Sequence, residues 1–394
     1  MARSLLVYRW SRLAAAMDYA ASTGWAGARF PWESAWTGGE VCPDFAADVR
    51  DYQHHVTGDI SFAIRQYLAM TGDVQMFQDI QDGFSGCQFV RQIAEFWSSR
   101  ISYNAATGKY DINEVMGPDE YHANIDNNVY TNIVAAMAIF FSDFTSCVAQ
   151  CPEIPEDWIE MASQLSLQYD SELDYHPQYE GYQPGTTIKQ ADTVLAGFPL
   201  MYNMTRSSRE QDLRMYESVT DPGGPAMTWG MFAVGYLELG QEDRAAELFR
   251  RSYEPYYHQP FYMWTENVKG TGAVNFITGM GGFLQGVIFG YFGARIKLDR
   301  IEFAPVLPVN TSTITLTGLD YFQAVIDISV DQDNVIVDFR SVNPDNFLVL
   351  TSEDDELEIG KPQRITISRG KFNIRPLYVE YLARCKLPSD SIGN

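Results

Sequence analysis

Basic residues are scarce in this chain. Lys and Arg together number 28 against 51 Asp and Glu, for a formal net charge of -23. So few cations cannot neutralise a phosphate backbone, which argues against nucleic-acid partners and for a neutral or cationic substrate. No continuous apolar run reaches the roughly 18 residues of a bilayer span, so no membrane partner is expected. The N-terminus carries no hydrophobic signal core followed by small residues, and the compartment reading defaults to the cytoplasm. Histidine numbers five, with only His54 and His55 adjacent, which makes a metal site unexpected. Cysteine also numbers five: Cys42, Cys87, Cys147, Cys151 and Cys385. An odd count without repeating spacing is a poor disulfide framework and a poor zinc site, so these read mostly as structural thiols. There is no P-loop, no GxSxG elbow and no dinucleotide fingerprint opening a helix, and no cofactor is expected.

What the chain does have is bulk: 394 residues, of which 46% are hydrophobic, enough for one large domain and a smaller one. Up to residue 298 the apolar residues follow helical spacing. Ile60, Ala63, Ile64, Tyr67 and Leu68 form one stripe, closed by Gly72 in a left-handed position with Asp73 capping the next helix. Ile133, Ala136, Met137, Phe140, Phe144 and Cys147 form a second, and Ala245, Leu248, Phe249 and Ser252 a third. After Arg295 the period changes to two: Ala324, Ile326, Ile328 and Val330, a polar turn over 331–334, then Val335, Val337 and Phe339. The domain boundaries expected are therefore 1–298, helical, and 299–394, antiparallel β, with the acidic stretch 353–358 as a solvated loop or edge.

Unusual residues concentrate in the loops between helices. The segment from Gly117 to Asn132 sets Glu120 in a Gly-Pro turn, followed by Tyr121, His122, Asn124 and further amides. Burial against aromatic faces would raise the carboxyl into the range a general acid needs near neutral pH. The mixture also suits a sugar, whose hydroxyls take amide and carboxylate partners while its C–H faces stack on rings. The plainer alternative is an ordinary turn with Asp119 capping the next helix. A second loop, residues 27–40, holds Trp32, Glu33, Trp36 and Glu40, and reads equally as a sugar-pocket wall or as a packed loop anchored by Trp32. A third runs through Lys189, Gln190 and Asp192, either donors to sugar hydroxyls or a solvated first turn with Asp192 at a helix N-terminus. A fourth carries Trp264, Thr265 and Glu266 ahead of a glycine-rich stretch. Glu120 and Glu266 together form a plausible acid and base pair for glycoside hydrolysis, which by inversion needs its two carboxyls about 6.5–9.5 Å apart.

Four segments in this order, GARFPWESAWTGGEVCP, HHVTGDISFAIRQYLAMTGD, GPDEYHANIDNNVYTN and IKQADTVL, resemble glycoside hydrolase family sixty-five over roughly residues 3–330. The resemblance implies an (α/α)6 barrel followed by a small antiparallel β domain. It also implies Glu120 as proton donor, with Lys189 and Gln190 binding the glucosyl unit. Trp32, Glu33 and His122 complete the expected substrate-binding set. The family's phosphate-binding loop has no counterpart in the stretch after Tyr216, which favours water as nucleophile and Glu266 as general base. The wording of several segments resembles the branch that removes glucose, with inversion, from the α-linked glucosyl-galactosyl-hydroxylysine of collagen. The alternatives are a disaccharide phosphorylase, an acid trehalase or a non-catalytic sugar-binding form. Against the family pattern the chain begins after a Phe-Trp-Asp-Thr-Glu motif, so the barrel is expected to be incomplete at its N-terminal side. Oligomeric state is not legible.

Overall fold

The computed structural model describes residues 2–353 and 355–388. Its longer helices are α1 (Ala2–Trp10), α2 (Leu13–Ser22), α3 (His55–Thr71), α4 (Gly86–Arg100), α5 (Val129–Ala149), α6 (Arg206–Val219), α7 (Thr228–Glu238), α8 (Glu242–Arg251) and α9 (Ile277–Gln285). The chain forms two compact units. One comprises residues up to Tyr67, Asp73–Thr220 and the segment from Arg384, and the other Leu68–Gly72 and Asp221–Ala383.

In the first unit α4 starts at a capping box, in which the Ser85 hydroxyl accepts from Gln88 N and the Gln88 side chain accepts from Ser85 N. Its apolar face packs against α5. The second sequence stripe is wider than expected, because α5 is buried on nearly every side. On length and composition this helix is apolar enough to cross a membrane, although polar residues interrupt its apolar run. Here it is a core helix, with most of its residues buried inside the fold. Asn128 caps it, the side-chain oxygen accepting from Thr131 N at 2.8 Å. Asp119 does not cap it, since nine residues of loop separate Asp119 from the first turn at Val129. Asp73 does cap, accepting from Met76 N at the head of a 3-10 turn, and Gly72 takes the expected positive φ of 66°.

The cysteines depart from expectation. Cys87 is bonded to Cys151 and Cys147 to Cys385, leaving only Cys42 free. The neighbours Cys147 and Cys151 face different partners, 238 and 64 residues away in sequence, so spacing hid both bonds. Disulfides of this kind persist where the surroundings are oxidising.

In the second unit α7 is buried along its length and packs against α8, whose Ala245 and Leu248 face inward. Gly279, Gly282, Gly286 and Gly290 lie within close contact of Ala226, Met227, Phe249 and Leu237, as helix-packing glycines should. From Arg295 onward come β1 (Arg295–Ile296), β2 (Ile301–Phe303), β3 (Ile314–Tyr321), β4 (Ala324–Val330), β5 (Asn334–Ser341), β6 (Leu348–Thr351), β7 (Glu356–Ile359), β8 (Gln363–Ser368) and β9 (Phe372–Pro376). They form two antiparallel sheets, ordered β8-β5-β4-β3 and β7-β6-β9-β2-β1. The alternating residues of β4 and β5 are wholly buried, in one core with Ile301, Phe303, Leu350 and Ile374. Asp331 closes the β4–β5 turn by accepting from Asp333 N and Asn334 N. The acidic β7 is an edge strand, and Asp354 in the stretch before it lies outside the described residues.

Candidate active site

Two loops of the first unit meet at the predicted acid. Lys189 Nζ lies 2.5 Å from Glu120 Oε2, and about a fifth of each side chain is open to solvent. Gln190 Nε2 donates to the carbonyl of Pro118, on the turn that carries Glu120. His122 Nδ1 lies 2.6 Å from Asp119 Oδ2, with its ring beside Tyr179. Four predicted residues, Glu120, Lys189, Gln190 and His122, are thus tied to one turn. The contact placed on Glu120 is an ammonium rather than the aromatic faces expected from sequence, and Tyr121 beside it is half exposed.

What holds these side chains is a pair of wholly buried carboxylates, Asp119 and Asp192. Asp119 accepts from Lys189 N at 2.7 Å, Tyr121 N at 3.2 Å and Gln178 Nε2 at 3.0 Å. Asp192 accepts from Asp119 N at 3.0 Å and Asn128 Nδ2 at 3.0 Å, with Gln178 Nε2 at 3.4 Å. Gly117 packs directly on Asp192, because a Cβ there would collide with the Asp192 carboxylate and the Asn128 amide. Gln53 Nε2 secures the same residue through its carbonyl. Burial pushes the Asp192 carboxyl up to about 7, the adjacent Asp119 carboxylate adding to the rise and the N–H of Asp119 and the Asn128 amide opposing it. His122 is also raised, by its hydrogen bond to the Asp119 carboxylate.

Asp192 is therefore not the solvated N-terminal charge that the sequence allowed. The reason is that both flanking loops close over it, and charge at a surface helix end and charge in a core look alike in sequence. Several polar residues after Glu120 turn inward too. Asn127 bonds Ile112 N and Glu180, and Asn132 bonds Ser166 O. Sequence reasoning missed Gln178 altogether, and no motif marks it.

Trp32 and Glu33 sit in a loop organised by a different residue. The Glu40 carboxylate accepts from Trp32 N, Glu33 N, Val41 N and Cys42 N at 2.7–3.1 Å, so the packed loop is anchored by Glu40 rather than by Trp32. Trp32 is half-buried, whereas Glu33 and Trp36 are exposed. Glu266 belongs to the second unit. Its carboxylate accepts from Ala273 N at 3.0 Å and lies over Gly272, where a Cβ would meet it at 2.5 Å.

Residues 1–187 match the model of the glycosyl hydrolase family 65 central catalytic domain. The chain belongs to glycosyl hydrolase family 65. It is 41% identical over 345 residues to a protein-glucosylgalactosylhydroxylysine glucosidase of Danio rerio, covering 87% of this chain and 51% of that protein. It is 44% identical to the protein of the same name from Gallus gallus, covering 85% and 46%. A kojibiose hydrolase of Flavobacterium johnsoniae is 35% identical, covering 81% and 46%. The chain spans about half the length of these curated relatives. Among solved structures, a putative kojibiose phosphorylase from human microbiome superposes with a TM-score of 0.76 at 20% identity, covering 94% of this chain and 57% of that one. This likeness shows the helix-rich family fold with its small antiparallel sheets.

Proposed function

We propose that this chain carries the catalytic machinery of an inverting α-glucosidase that removes glucose from α-linked glucosyl-galactosyl-hydroxylysine of collagen-like proteins. Its helices up to residue 298 are those of an (α/α)6 barrel, and the described residues from 299 onward belong to a C-terminal β module. Glu120 protonates the departing galactosyl oxygen, while Glu266 takes a proton from the water that attacks the anomeric carbon from the opposite face. Lys189 and Gln190 bind the glucosyl unit, with His122, Trp32 and Glu33 contributing to the substrate surface.

The observation that carries this reading is the Glu120–Lys189 pair. A partly exposed carboxyl sits beside a cation, on a turn fixed by buried hydrogen bonds, and that turn lies within the residues 1–187 that match the family's catalytic-domain model. The absence of a phosphate-binding loop after Tyr216 and the 35% identity to a kojibiose hydrolase support water as nucleophile. The test is release of glucose from a glucosyl-galactosyl-hydroxylysine glycopeptide. Glu120→Gln should lower turnover by about 100-fold or more, the range expected for a general acid, and full activity in that variant would remove the acid assignment. Glu266→Gln should do the same, and unchanged turnover there would remove the base alone.

A further inference from the structure

The two catalytic loops are joined by a reciprocal exchange of hydrogen bonds. The N–H of Asp119 donates to the carboxylate of Asp192, and the N–H of Lys189 donates to the carboxylate of Asp119. Each link sits one to three residues from a side chain of the proposed chemistry: Glu120 follows Asp119, and Lys189 and Gln190 precede Asp192. Gln178 bridges the two carboxylates with a single amide nitrogen, and Asn128 fixes the outer oxygen of Asp192. Neither Asp119 nor Asp192 is open to solvent, so neither can touch a substrate.

We propose that Asp192 is a positioning residue for the general acid, clamping the turn of Glu120 to the loop of Lys189 through Asp119. The proposal rests on the reading of Glu120 as the acid. Asp192 is buried beside a second carboxylate, so every donor that reaches it counts toward holding the two loops together. Burial raises the Asp192 carboxyl, and the charge of Asp119 adds to the rise. The titratable groups facing the pair are His122 on the same turn, His55 from α3, Tyr130 from α5, and Tyr179 and Tyr182 from the segment after Gln178. His122 is the one among these bonded to Asp119, and it reports on the same clamp. Replacing Asp192 by Asn preserves the shape, but turns one acceptor into a donor that must face either the Asp119 N–H or the Asn128 amide. The turn then loosens, and the acid loses its alignment.

The deciding experiment compares two substrates. A glucosyl-galactosyl glycoside needs its leaving oxygen protonated, whereas α-glucosyl fluoride departs with far less help from an acid. Asp192→Asn should lower kcat on the glycoside by about 10- to 100-fold, with KM nearly unchanged, and lower kcat on the fluoride by less than about threefold, because only acid alignment is lost. Gln178→Met, which leaves both carboxylates in place, should show the same selectivity in weaker form. Amide exchange supplies a reading that needs no turnover. In Asp192→Asn the N–H groups of Asp119 and Lys189 should exchange at least about tenfold faster, while those of α4 keep their protection. Equal losses on both substrates with exchange raised throughout would show a general structural role and overturn the proposal, as would unchanged kinetics and exchange. Glu120→Gln is the benchmark: if it shows no preference between the substrates, the acid assignment fails, and the exchange result still decides whether Asp192 clamps the turn.

Discussion

At the scale of single residues, the site is a buried polar scaffold that presents a few reachable side chains. Glu120 and Lys189 are partly open, and the groups that fix them, Asp119, Asp192, Asn128 and Gln178, are wholly buried. This division makes a pH prediction. The Asp192 carboxyl is raised from 3.8 to about 7 by folding, so between those values the folded chain holds a proton that the unfolded chain has released. Its stabilisation is complete below 3.8 and is lost as pH rises through 7. His122 adds in the same direction, contributing below the ordinary imidazole value of 6.5 and fading above its raised folded value. Denaturant titrations of wild type and Asp192→Asn across pH 4 to 8 check this, and the gap in stability between them should change steadily over that range. Parallel curves would show that Asp192 does not titrate differently in the fold. From sequence, the turn that brings Glu120, Lys189 and Gln190 together was legible through the segments that resemble the family rather than through residue spacing alone. The scaffold was less so, since a carboxylate buried by a distant loop carries no local signature, and Gln178 follows an unremarkable His-Pro pair.

Elements show the same split between local and distant information. The alternation in β4 and β5 and the periodicity of α8 were readable because burial on one face imposes a period. The plainer reading, with Asp119 as the cap of α5, lies nine residues too early, because Asp119 and Asn128 are both good capping types and only the path of the intervening loop separates them. Asn128 serves both the helix and the site, bonding Thr131 N and Asp192. Asn128→Ala should therefore cost more than the roughly 1 kcal/mol of a simple cap, because a buried carboxylate loses a donor as well. Chemical denaturation measures this directly, and a loss of only a few tenths would contradict the double role. The disulfides were illegible for a related reason: Cys385 reaches Cys147 across 238 residues. Thiol titration of the denatured, unreduced chain should find one free thiol, that of Cys42, and five after reduction. Opening the long loop by Cys385→Ser should destabilise the first unit by about 2–4 kcal/mol, read as a lower denaturation midpoint.

For the molecule as a whole, family membership rests on the match over residues 1–187 and on identities of 41–44% to relatives named as glucosidases. Net charge is compatible with the proposed substrate, which is neutral at its sugars and carries an amine at hydroxylysine, since a chain at -23 attracts cationic peptides and repels phosphate. Raised ionic strength should accordingly weaken KM for a glycopeptide that bears the free amine, and leave KM for its N-acetylated form unchanged. The proposed hydrolysis with inversion through Glu120 is checked most directly by following the anomeric proton signals as glucose leaves a glucosyl-galactosyl-hydroxylysine peptide in phosphate-free buffer. β-Glucose should be the first product, with the α form growing only by mutarotation and Glu120→Gln silent on the same timescale. First-formed α-glucose, or glucose 1-phosphate appearing only when phosphate is added, would contradict it.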